Sequence, residues 1–172
     1  MSEVAVQPGW APLDDPVAWG ERLAAAYRDI GARSMRELPI YHDALDVEAI
    51  GFQRIQDNIV GIIVTPWFLN VVTPADGLAV DPPGTVLQIS FPAGTIPFTV
   101  SEIPPLGLIA SCSLFSPMFE FADMDAARAA AHAALVELMM SSDERSPAAV
   151  EPKASAIDRR AFLRGTLTER RP

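Results

Sequence analysis

Few residues in this chain are of a type that performs chemistry, and they lie far apart in the sequence. The single cysteine is Cys112, and the two histidines are His42 and His132. Neither histidine stands in a metal-ligand spacing such as His-x-x-x-His, and one cysteine forms neither an intramolecular disulfide nor an all-cysteine metal site. We interpret Cys112 as a buried, inert thiol, and each histidine as a surface or internally hydrogen-bonded residue. The sequence therefore predicts no metal site and no cofactor.

The middle of the chain is almost free of titratable groups. No Lys or Arg lies between Arg54 and Arg128. Over residues 58–119 the only charged side chains are Asp76, Asp81 and Glu102. The chain also lacks the Gly-x-Ser-x-Gly, Gly-x-x-x-x-Gly-Lys and Gly-x-Gly-x-x-Gly motifs of common enzyme and nucleotide sites. Because an enzyme needs acids, bases or metals around a reacting atom, we predict a binding protein and not an enzyme.

Two helices are predicted, one before and one after this uncharged middle. The first follows Asp14 or Asp15, with Pro16 in its first turn, and its apolar residues keep helical spacing over residues 17–35. The second begins at Asp123 and runs to about Met140, through a stretch rich in alanine, a strong helix former.

The stretch between the helices predicts an antiparallel sheet of five to six strands. Runs rich in Val, Ile, Thr and Phe alternate with turns that contain Pro and Gly, and no gap between runs is long enough for a helix. The predicted strands are residues 47–54, 59–64, 67–73, 85–91, 96–103 and 108–114. We expect an α+β domain with the sheet flanked by an N-terminal and a C-terminal helix, and with the strands joined in meander order.

Charge divides the chain into an acidic domain and a basic tail. We predict an irregular arm at residues 1–14, the domain at 15–141 and a disordered tail at 142–172. The tail holds seven of the 13 cations and five of the 22 acids, so it carries +2 and residues 1–141 carry −11, for a net charge of −9. An acidic domain repels nucleic acid and anionic membranes and favours cationic partners. Residues 1–13 lack the basic and apolar regions of a secretory signal, and the uncharged residues 58–75 fit two strands better than a membrane span.

Three short segments together resemble a known protein family. They are Thr65-Pro66-Trp67-Phe68-Leu69-Asn70-Val71-Val72, then Phe91-Pro92-Ala93-Gly94 followed by Phe98, and Ser113-Leu114-Phe115-Ser116-Pro117-Met118-Phe119. Their order and spacing resemble the HybE/HupJ family of nickel–iron hydrogenase assembly chaperones, over residues 11–140 and again over 158–165. The resemblance implies a cytoplasmic accessory protein that binds precursors of the hydrogenase small subunit, large subunit or both, and other maturation proteins. It also implies that export of a subunit with a twin-arginine signal is held back until its cofactors are inserted.

Large apolar side chains in these segments are candidates for client binding. Trp, Phe and Met are favoured anchors in protein interfaces, and a polar amide among apolar strand residues needs hydrogen-bond partners. The same side chains would also serve to pin a helix onto the sheet, so a core role stays open for them. The candidate client-binding residues are Trp67, Phe68, Asn70, Phe91, Leu114, Phe115, Met118 and Phe119.

The tail contains a segment that looks like a twin-arginine export signal. Residues 158–165 place two arginines one residue before Phe-Leu, but at the wrong end of the chain and without the long apolar stretch of a signal. We hypothesise that this segment occupies the site of a client's signal and leaves when the client arrives, since tethering makes a weak affinity sufficient. A solvated basic tail is the alternative. The candidate regulatory residues are Arg159, Arg160, Phe162, Leu163 and Arg164.

Two further functions are compatible with the sequence. A maturation enzyme or carrier would use Cys112 to handle a metal, a cofactor fragment or a thiol. A scaffold would bridge the large and small subunits without recognising any signal.

Overall fold

The structure, a computed structural model, describes residues 15–75 and 82–141. The predictions made for the arm at residues 1–14 and for the tail at 142–172, including its disorder and the segment 158–165, lie outside the described residues. Within the described residues, two helices flank a six-stranded antiparallel sheet, which confirms the α+β fold predicted from the sequence.

Both helices begin at the aspartates that the sequence predicts. Helix α1 spans Pro16–Ile30 and continues into a five-residue π-helical turn, Gly31–Met35. The Asp15 carboxylate caps α1 by accepting a hydrogen bond from the backbone N of Ala18 at 3.1 Å. Helix α2 spans Met124–Met139 and is capped in the same way by Asp123. Neither helix is long and apolar enough to cross a membrane.

The strands are β1 (Glu48–Ile55), β2 (Asn58–Val64), β3 (Leu69–Pro74), β4 (Val86–Phe91), β5 (Gly94–Ile103) and β6 (Gly107–Phe115). Their order in the sheet is β1-β2-β3-β6-β5-β4, with all neighbours antiparallel. The prediction of meander order throughout is wrong at one step, because β3 pairs with β6 and not with β4. Strand β6 buries Ile109 and Ala110 completely and suits a central position, whereas β4 alternates with exposed residues and suits an edge.

The helices cover opposite faces of the sheet, so the domain has three layers. Ile62 and Ile63 are consecutive residues of β2 and therefore point to opposite faces. Ile63 lies in the hydrophobic cluster that contains Leu23 and Tyr27 of α1. Ile62 lies in the cluster that contains Ala131 of α2. The core is thus divided between the two faces.

Helix α1 approaches the sheet closely because glycines lie on two sides of the Phe52 ring. A Cβ added at Gly20 in α1 would lie 2.6 Å from Cδ2 of that ring, and one added at Gly61 in β2 would lie 2.6 Å from Cδ1. The ring of Trp19 packs against the same ring, with 5.6 Å between the centroids. This packing fixes where α1 lies on the sheet, and with it the position of Tyr27.

Helix α2 runs across the other face, from the β1 edge to the β4–β5 turn. Near its start, the Arg128 guanidinium donates hydrogen bonds to Glu48 of β1 at 2.8 to 3.0 Å and to Asp125 at 2.9 Å. At its other end, the backbone N of Ala93 donates to the carbonyl oxygen of Leu138 at 3.2 Å. The first turn of α2 therefore lies at the end of the sheet where β1 begins.

Candidate functional site

The three segments that resemble the chaperone family lie at one end of the sheet. Val64 pairs with Leu69 across the β2–β3 turn, and Leu69 pairs with Phe115 at the end of β6. Because β5 is antiparallel to β6, its first residue, Gly94, lies at the same end, together with the turn that begins at Phe91. The strand order therefore brings the β2–β3 turn, the β4–β5 turn and the end of β6 to the same end of the sheet, although they lie far apart in the sequence.

The side chain of Thr65 holds the β2–β3 turn. Its Oγ1 accepts hydrogen bonds from the backbone N of Phe68 at 2.9 Å and of Trp67 at 3.3 Å, while the backbone N of Thr65 donates to the Phe68 carbonyl at 2.8 Å. Trp67 and Phe68 consequently lie in a turn, although the sequence predicts a strand over residues 67–73. The observed strand β3 begins at Leu69. The buried hydroxyl supplies hydrogen bonds that a strand ladder would otherwise provide.

Aromatic rings brace this turn from the α1 side. Trp67 is buried and stacks on Tyr41, with 6.0 Å between the ring centroids. Tyr27 of α1 meets the half-buried Phe68 edge-on at 5.3 Å. Burial raises the pKa of Tyr27 to about 12, so its hydroxyl stays neutral at physiological pH. These contacts give Trp67 and Phe68 a packing role in the free protein.

The other apolar candidates, except Phe119, lie in the core on the α2 side. Phe91, Leu114 and Met118 are buried in the cluster that α2 covers. Phe115 is half-buried and meets Phe121 edge-on, with 5.0 Å between the centroids. Packing accounts for the positions of these four candidates, and client binding by them stays a prediction.

Phe119 differs from the other candidates because the residue is 54% exposed. Its ring lies 5.6 Å from the ring of His42, whose Nε2 lies 2.7 Å from the carbonyl oxygen of Phe121. The backbone N of His42 donates to the carbonyl of Pro66 at 2.9 Å, so the loop before β1 adjoins both the β2–β3 turn and the β6–α2 connection. We define the Phe119 surface as the half-buried His42 ring and four exposed residues, Ile40, Asp43, Phe119 and Glu120.

The Phe119 surface lies in an acidic region of the domain. Residues 37–48 and 116–127 contain seven acids and no Lys or Arg. Arg128, which follows the second segment, is engaged by Glu48 and Asp125. Two other cations adjoin the first segment: the exposed Arg36 directly precedes it, and the Arg28 guanidinium donates to the carbonyl of Val47 within it at 3.1 Å. The sequence shows the acidity of the whole domain, but Ile40, Asp43 and Glu120 were not predicted as site residues, because the two segments meet only through the fold. The surface favours a partner that combines cationic and apolar groups.

Asn70 is a buried amide with an unmet hydrogen-bond requirement. It is 7% exposed in β3, and its Oδ1 has no hydrogen-bond partner among the described residues. The register places it opposite Ile63 and Ser113, on the sheet face that carries α1. A buried acceptor without a partner costs about 1 to 3 kcal/mol, so the need for a partner that the sequence predicts at Asn70 is not met within this part of the fold.

Cys112 lies in β6 opposite Val71, half-buried on the α2 face. Burial raises the pKa of its thiol, which lowers the thiolate fraction at neutral pH and with it the reactivity. Within residues 15–75 and 82–141, no three His, Cys, Asp or Glu side chains lie close enough to hold a metal ion. His132 is exposed on α2. Among the candidates at this sheet end, the exposed Phe119 ring, with Asp43 and Glu120 in the same surface, is the feature best suited to contact a partner.

Comparison with known proteins identifies relatives of this chain. The family model described as "[NiFe]-hydrogenase assembly, chaperone, HybE" matches residues 18–165. The hydrogenase expression/formation protein HupJ of Bradyrhizobium diazoefficiens is 62% identical over 161 residues, which cover 93% of this chain and 95% of that protein. Protein HoxT of Cupriavidus necator is 35% identical over 157 residues, or 83% and 86% of the two chains. The solution structure of HybE from Escherichia coli, 22% identical, shares the fold with a TM-score of 0.58 over 80% of this chain and 88% of that one. This chain therefore belongs to the HybE family of [NiFe]-hydrogenase assembly chaperones.

Proposed function

We propose that this protein is a cytoplasmic, non-catalytic chaperone that binds precursor subunits of a nickel–iron hydrogenase through the Phe119 surface. The observation that carries the proposal is the exposed Phe119 ring at the sheet end where the three family-like segments meet. Aromatic side chains on a rigid support are the usual anchors of protein interfaces, because they bury a large area at a small entropic cost. The hydrogen bond between His42 and Phe121 supplies such a support.

The client in this proposal is a precursor that carries a twin-arginine signal. Such a signal combines adjacent arginines with apolar residues, and the Phe119 surface offers Asp43 and Glu120 beside Phe119 and Ile40. Arginine pairs well with carboxylates because its planar fork donates two parallel hydrogen bonds. A signal bound in this way would be hidden from the export machinery until the subunit has received its cofactors. The large subunit and other maturation proteins are further partners that the family implies.

The exchange of Phe119→Ser tests the site. Phe119 is half exposed, so we expect the variant to fold normally while its affinity for the precursor falls at least tenfold, as for an interface anchor. The matched control is Val136→Ser, which removes an apolar side chain of similar exposure, 59%, from the last turns of α2, about 18 Å along the helix from its start beside Phe119. Affinities are measured by titration calorimetry with the purified precursor. Equal affinities of the two variants would exclude the Phe119 surface as the client site.

The recognised part of the client is tested with the same precursor lacking its signal. We expect this truncated precursor to bind more weakly to the wild-type protein, and to bind equally to the Phe119→Ser variant and the control. If the truncated precursor binds the wild-type protein as tightly as the complete one, the chaperone holds the folded part of the subunit. The scaffold function would then be favoured over control of export.

A further inference from the structure

We propose that residues 158–165 of this chain bind the Phe119 surface of the same molecule and compete there with a client. The binding of the segment stands independently, and only the competition rests on the function proposed above. The segment lies after the described domain in the sequence, and the client binding proposed above does not involve it.

Charge and apolarity of the segment and the surface are complementary. Residues 158–165 contain three arginines and one aspartate, for a net charge of +2, and they include the adjacent pair Phe162 and Leu163. On the other side, the exposed Asp43 follows His42, whose ring lies 5.6 Å from the Phe119 ring, and the exposed Glu120 follows Phe119. Both acids belong to two segments that hold seven acids and no cation. An arginine guanidinium donates two parallel hydrogen bonds to a carboxylate, and the Phe-Leu pair can pack against an exposed aromatic ring.

The length of the chain beyond the domain permits this contact. The described residues end at Ser141, just after α2, whose 16 residues span about 24 Å from its start beside the Phe119 surface. Arg159 lies 18 positions after Ser141 in the sequence, a separation that spans at most about 60 Å when the chain is extended. The segment can therefore return along α2 to the surface with length to spare.

Tethering makes a weak contact sufficient. A segment joined through a short linker has an effective concentration in the millimolar range. If the effective concentration is about 1 mM and the intrinsic Kd about 0.1 mM, the surface is occupied about nine-tenths of the time, and a competing client binds about tenfold more weakly. A client with a higher intrinsic affinity still displaces the segment, so the tail sets a threshold for binding.

The two histidines of this chain provide a direct assay. His42 forms part of the Phe119 surface and His132 is exposed on α2, so their ring proton resonances report on the site and on an internal reference. We expect the double exchange Arg159→Glu with Arg160→Glu to shift the His42 resonances and leave those of His132 unchanged. The control is Arg170→Glu with Arg171→Glu, which changes the charge of the tail equally but outside the segment. We expect no shift of His42 in the control.

Charge reversal on the surface supplies a second test. The exchanges Asp43→Arg and Glu120→Arg alter the surroundings of His42 by themselves, so the protein with these two exchanges alone is the reference. Adding Arg159→Glu and Arg160→Glu to it should restore the binding of the segment, seen as a further shift of the His42 resonances relative to that reference. Unchanged His42 resonances, equal shifts in both arginine variants, or a lack of restoration would each overturn the proposal. A His42 shift that depends on protein concentration would also overturn it, since the segment would then come from a second copy.

Client affinity separates this inference from the proposed function. We expect the Arg159→Glu, Arg160→Glu variant to bind the signal-bearing precursor about tenfold more tightly than the wild type or the Arg170→Glu, Arg171→Glu control. Specific and reversible His42 shifts without any measurable client binding would refute the proposed function and leave the segment's binding established. Client binding of equal strength in all three proteins would overturn the competition.

Discussion

The exchange Gly61→Ala tests how the sheet positions α1. The added Cβ would lie 2.6 Å from Cδ1 of Phe52, whereas ordinary contact begins near 3.4 Å, so the ring must move by roughly 1 Å. It has little room to do so, because the Gly20 backbone and the Trp19 ring enclose it. Overpacking of this kind costs about 1 to 3 kcal/mol, and we expect a loss of about 2 to 3 kcal/mol in the free energy of unfolding.

The measurement is urea unfolding followed by tryptophan fluorescence, to which the buried Trp19 beside Phe52 contributes. A fall in the midpoint with an unchanged slope assigns the loss to stability. The decisive control places Gly61→Ala in a Phe52→Ala background. That background alone costs about 3 to 5 kcal/mol, but without the ring the added methyl should be neutral or stabilise by up to about 1 kcal/mol. An equal loss in both backgrounds would refute the steric explanation.

Two other exchanges test Asn70 and Cys112, which lie in the sheet. Asn70→Leu should raise the free energy of unfolding by about 1 kcal/mol or more, because the buried Oδ1 has no partner among the described residues. A less stable variant in urea unfolding would contradict this account. Cys112→Ala should cost no more than about 1 kcal/mol and leave hydrogenase activity in producing cells unchanged, whereas lost activity would favour the enzyme or carrier function. In the wild type, burial raises the thiol pKa, so disulfide-exchange reagents should react slowly near pH 7 and faster as the pH rises toward that pKa.

Local structure was predictable because it depends on residues close in sequence. Asp15 with Pro16, and Asp123, start the helices in the structure as in the prediction, since a carboxylate cap needs only an N–H group three residues ahead. Strand positions followed from β-branched residues separated by Pro and Gly, and agree with the structure within a few residues.

Features set by distant residues could not be predicted in the same way. The pairing of β3 with β6 depends on which strand buries both faces, and the spacing along the chain carries no sign of it. Trp67 looked like a strand residue because its neighbours are apolar, but the Thr65 hydroxyl holds it in a turn. Phe115 and Phe119 are alike in sequence, yet only Phe119 is exposed, since the direction of the β6–α2 connection decides which ring faces the core.

The pairing of β3 with β6 has a consequence for folding. Strands β1 to β3 and β4 to β6 form two hairpin-connected units, and among the described strands the β3–β6 pairing is the one strand pairing between them. The loop with His42 precedes the first unit and Phe119 follows the second. The Phe119 surface therefore forms only when the two units come together. Contacts between units far apart in sequence form late in folding, and we therefore expect a partly folded chain to be unable to capture a client. Conversely, a client present at 100 times its Kd should add about 2.7 kcal/mol to the free energy of unfolding. Slower amide hydrogen exchange along β3 and β6 would reveal this gain.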